Sequence, residues 1–379
     1  MKILCITDKQ YQQSNNQILA IFQKYLLQYA KVEVVYFHKD SKVFQENSSI
    51  CPMYILPYGV KHRNLVKLLG KLNINLDNYD FIIVRNFYPV AKQILKAHNK
   101  VIFWETFPHD YRRIYEARIE KKALLRKSLE YKIKFFLHQR ILKQCIAYLT
   151  MTPQLAELFQ PNLPIPIFTL PGGIDFENCD REAINNNLHT CNTPLKFLYT
   201  GTIDKNRQLG VVLSAFLESK GDFILDIFTG SANEEVQKIQ TLIAQDKRIS
   251  LHPPLPLLEM LKTLPHYDIG LGLIPNTPLY SVSSPFKTME YASAGIIPLI
   301  NDLPEYVRLF DSNCAFFSDF NKQDIKATLQ KILNTHPSSL QAMKQALFQR
   351  ALESMDYAKL TKKLYDFLCS LKDSKHSPL

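Results

Sequence analysis

Short runs of Val, Ile, Leu and Phe return along nearly the whole 379-residue chain, with segments of helical length between most of them. The first half holds such runs at 3–7, 32–37, 81–84, 101–104, 146–150 and 167–170. The second half holds them at 196–200, 223–228, 249–251, 269–273 and 297–300. An unbroken apolar run reads as a strand buried on both faces, and helices between such strands make the sheet parallel. A polar stretch without periodicity, DFENCDREAINNNLHTCNTP at 175–194, parts the two series and reads as a linker. The expectation is an α/β chain of two doubly wound domains, 1–171 and 195–355. They are joined by 172–194 and followed by an amphipathic helix in 356–379. Ligands of such sheets lie beyond the C-terminal ends of the strands, so a central cleft faced by both domains is expected.

Composition narrows the setting. Seven cysteines, an odd number with no Cys-x-x-Cys pair, imply a reduced, intracellular chain without a zinc site. The first ten residues hold too short an apolar run for a signal peptide, and no stretch of 18 apolar residues occurs, so a cytoplasmic protein is expected. The net charge of +11 is regional. Residues 1–171 carry 25 basic and 12 acidic side chains, whereas 172–379 carry 21 and 23. An anionic partner therefore belongs to the first half.

The most informative segment is YSVSSPFKTMEYASAGIIP, 280–298. Ser284 can cap a helix with Pro285 at its first position, and Gly295 suits the stop. Free N–H groups, the hydroxyls of Ser283 and Ser284, and Lys287 form a ready anion site at that helix start. One turn further in, Glu290 can accept hydrogen bonds from the vicinal hydroxyls of a ribose. The plainer reading is a surface helix with an ordinary cap and solvated charges.

This Ser-Pro-x-Lys-x-x-Glu-Tyr-x-x-x-Gly-x-x-Pro arrangement resembles the nucleotide-sugar signature of retaining family-4 glycosyltransferases, which have the GT-B fold of two Rossmann-like domains. The resemblance implies that Glu290 holds the donor ribose and that the helix start at Ser283, Ser284, Pro285, Phe286 and Lys287 faces the diphosphate. Val282 stands where many members carry an additional glutamate. A second segment, LKFLYTGTIDKNRQLGVVLSAFL at 195–217, is a strand, a glycine turn and a basic loop before a helix, which suits phosphate oxygens. It resembles the family's entry to the nucleotide domain, with Gly201 at the turn and Lys205 and Arg207 as the cations. Thr202 and Gln208 occupy the positions where many members place those cations. LPGGID at 170–175 resembles the family's domain junction and gives Gly172 and Gly173 a hinge and cleft-wall role. Gly230 matches a donor-domain loop, and His252 falls where the nucleobase pocket is expected, although a histidine beside two prolines is also an ordinary packed residue.

In the first domain the resemblance places the residue acting on the transferred sugar in FWETFPHDYRR, where His109 and Glu105 are both candidates. Asn15 and Asn16 replace a family Gly-Gly loop. The segment Tyr111–Cys145 carries eleven basic and three acidic residues on an amphipathic helix. Its apolar stripe is expected to pack as core, and its charge suits an anionic membrane surface or saccharide.

Together these readings imply a retaining hexosyltransferase moving a sugar from a nucleoside-diphosphate sugar to a hydroxyl of a glycan or lipid-linked acceptor. The setting would be bacterial surface polysaccharide or lipopolysaccharide assembly, on the cytosolic face of the inner membrane. No metal or other cofactor is required by the motifs, no Asp-x-Asp occurs, and nucleic acid is not expected as a partner. Alternatives are a nucleotide-sugar epimerase or hydrolase of the same fold and a non-catalytic nucleotide-sugar-binding protein.

Overall fold

The computed structural model describes residues 1–11, 16–39, 44–46, 51–61, 63–121 and 123–373. The chain divides into two compact units, Met1–Pro171 with Tyr357–Leu379, and Gly172–Asp356.

Unit 1 is built on eight strands: β1 (Lys2–Gln10), β2 (Lys31–His38), β3 (Phe44–Glu46), β4 (Met53–Pro57), β5 (Phe81–Arg85), β6 (Val101–Glu105), β7 (Ala147–Thr150) and β8 (Ile167–Thr169). They lie in the order β3-β4-β2-β1-β5-β6-β7-β8, all parallel except the edge strand β3. Every residue of β5, β6 and β7 is buried, as strands covered on both faces require. The direction of winding reverses between β1 and β5, and the crevice beyond their C-terminal ends is the topological switch point. Within this unit the helix Tyr357–Asp373 stacks Tyr365 on Tyr29 and Phe367 on Phe168, and Lys372 pairs with Asp80 at 2.9 Å.

Unit 2 holds β9 (Leu195–Thr200), β10 (Phe223–Phe228), β11 (Ile249–His252), β12 (Ile269–Leu271), β13 (Ile297–Ile300) and β14 (Phe316–Phe317). Their order is β11-β10-β9-β12-β13-β14, all parallel, with the switch between β9 and β12.

Two expectations need correction. The stretch 172–194 is not a bare linker. Asp180 caps a helix, Arg181–Leu188, whose Ile184 and Leu188 enter a core cluster with Tyr267, Tyr291 and Ile296. The basic segment 111–145 is not one helix either. It forms His109–Ile119 and Leu124–Leu142, separated where Lys121 and Ala123 take left-handed backbone conformations. Its stripe is not core: Ile114, Ala117 and Ile141 are buried, but Leu125, Leu129, Ile133, Phe136 and Leu137 are exposed.

A fully buried ion pair anchors unit 2. Lys344 Nζ lies 2.8 Å from Asp268 Oδ1 and also donates to the Asn187 side chain and the Thr190 carbonyl. The Asp268 carboxylate further accepts from the backbone N–H groups of Asn192 and Lys196. Two residues on, in β12, Gly270 leaves room for the ring of Tyr291, since a Cβ there would stand 2.2 Å from it. Gly270→Ala should therefore cost about 1–3 kcal/mol through forced displacement of the ring. Gly210→Ala, in a helix with open space at that Cβ, should be neutral or slightly stabilising. Thermal denaturation of the two variants checks both.

Candidate functional site

The helix Phe286–Ser293 begins at the switch-point end of unit 2. Its cap is Pro285, one residue later than the sequence suggests, and no side chain caps it. Ser284 does something else: its Oγ accepts the Gly172 N–H at 3.2 Å. Ser283 Oγ donates to the Leu279 carbonyl at 2.9 Å. Gly172 accordingly serves close approach, because a Cβ there would meet Ser284 Oγ and Phe286 Cε1 at 2.9 Å. The helix ends as expected at Gly295, with φ +69°. Ile296 N–H bonds the Tyr291 carbonyl and Gly295 N–H bonds that of Ala292, the Schellman pattern.

Tyr291 fixes the helix to β9. Its phenol oxygen accepts the Thr200 N–H at 3.0 Å, just before the turn at Gly201, whose φ of +128° favours glycine. Beside this seat a partly buried charged cluster assembles. Lys287 Nζ sits 4.0 Å from the centre of the Tyr199 ring. Arg207 pairs with Asp204, and its guanidinium lies 6.0 Å from the Tyr280 ring. Burial, then the charge of Arg207, depresses Lys287 to about 7, with Glu290 and Asp204 opposing. Burial raises the Glu290 carboxyl to about 7, with Lys287 opposing. A lysine and a carboxylate both poised near neutrality, at a helix N-terminus, can take up an anion and accept hydroxyl donors.

Not every candidate joins this cluster. Lys205 is exposed, and no hydrogen bond or ion pair joins it to the cluster among the described residues. Gly230 follows β10, where an added Cβ would make ordinary contact with Pro254 at 3.5 Å. His252 Nε2 is 2.7 Å from Asp226, and its ring stacks on Phe228. Val282 is buried. Asp204, Tyr199 and Tyr280 were not singled out from the sequence. Only Asp204 left a signal, its i,i+3 spacing to Arg207.

In unit 1, His109 opens the helix His109–Ile119 and meets Phe107 edge-on, with ring centres 5.3 Å apart. Burial lowers its pKa, and Asp8, Arg85, Arg112 and Lys9 are the charges acting on it. Asp8 and Arg85 pair at the ends of β1 and β5, on the switch point. Arg85 Nε and Trp104 Nε1 are buried without partners among the described residues, and Arg85 lies 5.0 Å from the Trp104 ring. Glu105 does not join His109. Strand alternation puts it with Phe103, on the face opposite Trp104. There Tyr148, Gln160 and Tyr88 donate to its carboxylate at 2.6, 3.0 and 3.2 Å, and burial raises its pKa. These bonds tie it into a buried network. Asn16 starts the helix Asn16–Ala20, while Asn15 lies outside the described residues. No disulfide and no cluster suited to a metal occurs among the described residues.

No family model and no curated protein matches the chain. Solved structures do. A sucrose-phosphate synthase from Thermosynechococcus elongatus superposes with a TM-score of 0.73 at 11% identity, covering 99% of this chain and 100% of that one. The fold is GT-B. An alpha,alpha-trehalose-phosphate synthase (UDP-forming) from Burkholderia xenovorans, in complex with glucose-6-phosphate, gives 0.67 at 10% identity, covering 97% and 100%. A trehalose-6-phosphate structure from E. coli bound with UDP-2-fluoro glucose gives 0.66 at 10%, covering 98% and 99%. At such identities the likeness establishes architecture and leaves the chemistry to the residues.

The paired pKa values make a signed prediction. Above pH 7 Lys287 is mostly neutral, so an arriving diphosphate should raise its pKa and draw a proton in. Below pH 7 Glu290 is mostly protonated, so hydroxyl donors should expel one. Calorimetry of UDP binding in buffers of different ionisation enthalpy should show uptake near pH 8 and release near pH 6. Lys287→Met should abolish the uptake alone.

Proposed function

We propose that the protein is a retaining, family-4-type glycosyltransferase that moves a sugar from a nucleoside-diphosphate sugar to a hydroxyl of a glycan or lipid-linked acceptor. The observation that carries this is the cluster of Lys287, Glu290 and Arg207 at the N-terminal end of a helix beside the unit 2 switch point. Sugar transfer breaks the bond from the anomeric carbon to the diphosphate and forms one to the acceptor oxygen. The acceptor proton passes to the departing diphosphate on the same face. Negative charge grows on the leaving oxygens, and Lys287, Arg207 and the helix start offer it fixed positive partners. Glu290 accepts from the ribose hydroxyls, which orients the donor. In this reading Lys205 would approach the phosphates from solvent, and Gly230 and His252 would border the base.

His109 is assigned to the transferred sugar. Its imidazole, kept neutral by burial beside the Asp8–Arg85 pair, presents a hydrogen bond without a full charge. The reading draws support from the similar proteins, whose names include a UDP-forming synthase, a bound UDP-2-fluoro glucose and a bound glucose-6-phosphate. The acceptor assigned to this chain is a larger one, in surface polysaccharide or lipopolysaccharide assembly, because unit 1 carries the excess of positive charge.

The test is a thermal-shift panel of UDP, GDP, CMP and ADP with their sugars. A nucleotide at about 100 times its dissociation constant should stabilise the fold by roughly 2.7 kcal/mol. Glu290→Ala should remove that stabilisation and all turnover. If no nucleotide moves the transition, the donor reading fails; binding without turnover by any sugar would make the chain a nucleotide-sugar-binding protein.

A further inference from the structure

The helix Leu124–Leu142 is amphipathic in an unusual sense: its apolar stripe faces solvent. Leu125 is 88% exposed, Leu129 and Phe136 are each 61% exposed, and Ile133 is 54% exposed. Spacings of four, four and three residues keep these side chains on one face. The helix cannot roll to bury them, because its inner face is already committed. His138 stacks on Tyr88 with ring centres 3.5 Å apart, Lys134 pairs with Asp110 at 3.2 Å, and Tyr131 meets Tyr111 edge-on. Ile141 and Leu142 enter the unit 1 core.

Exposed cations border the stripe. At 100° per residue, Arg126 and Lys132 fall on its two sides, and Arg140 and Lys143 continue its line beyond Leu137. Arg140 lies 5.9 Å from the ring of Phe136, guanidinium over an apolar anchor. We infer that this helix lies in the surface of an anionic lipid bilayer, with Leu125, Leu129, Ile133 and Phe136 inserted among the acyl chains and the cations at the headgroups. Charge decides the occupant. A second copy of the chain would set these cations against their own counterparts, whereas an anionic headgroup layer complements them.

The inference deepens the proposed lipid-linked acceptor, yet stands on the helix alone, so its test needs no nucleotide. The full chain is sedimented with vesicles of phosphatidylcholine, and with vesicles of phosphatidylcholine and phosphatidylglycerol in equal parts. Binding should favour the anionic vesicles. The variant Leu129→Ser/Ile133→Ser/Phe136→Ser should bind them about tenfold more weakly or worse, although its charge is unchanged. These side chains are exposed, so the variant should keep the wild-type melting temperature. Trp104, the only tryptophan, is fully buried. Phe136→Trp therefore gives an insertion probe whose emission should shift to the blue on anionic vesicles alone. Failure of the wild type to bind, or equal binding by the triple serine variant, overturns the inference. So does a wild-type dimer that the serine variant dissociates, which would make the occupant a second copy. Vesicle binding without nucleotide binding would sink the donor reading and leave this one standing.

Discussion

The packing of Tyr291 against Gly270 is the contact on which the rest of unit 2 depends. It lets a short helix lie directly on β12, and the same side chain reaches the backbone of Thr200 at the end of β9. The two strands that flank the topological switch are thereby tied to one helix. Everything placed on that helix is referred to the sheet with little freedom. Lys287 lies one turn before this fixed point and Glu290 directly before it, while Arg207 comes from the loop after β9. Their mutual electrostatics follow from that seating. A cluster held this way pays the reorganisation cost during folding, before any ligand arrives.

Much of the architecture was legible because strands covered on both faces must be written in unbroken apolar residues. The runs at 81–84 and 101–104 could hardly be anything else. The strands Phe44–Glu46, Met53–Pro57 and Phe316–Phe317 were not read. Two are only three and two residues long, and the third ends at a proline. Gly295 announced the helix stop because its left-handed conformation is one that other residues resist. Nothing in Lys-Lys-Ala at 121–123 announces a break of the same kind.

The site was legible in its motif and illegible in its details. The spacing of Lys287 and Glu290 follows from helical geometry, so the sequence alone places them one turn apart on one helix. The hydroxyl of Ser284 was assigned to the helix cap, yet it serves Gly172, because a cap and a tertiary partner look alike in sequence. Counting along its own strand places Glu105 with Val101 and Phe103, on the face opposite Trp104. The outward stripe on Leu124–Leu142 marks a real limit of periodicity. A period of 3.6 shows that a helix has two faces; which face turns inward is decided by the partners each finds.

The buried Lys344–Asp268 pair constrains how this sequence can drift. Replacing either member alone leaves an unpaired charge where no water can reach it, at a cost of about 3–5 kcal/mol. Replacing both with apolar residues of matching volume can be nearly neutral. Single replacement at either position is therefore the costly change, and paired replacement the tolerated one. Asn187, Thr190 and the backbone of Asn192 and Lys196 share the same hydrogen-bond network, which extends this restraint. One network thereby ties together residues up to 157 positions apart in sequence.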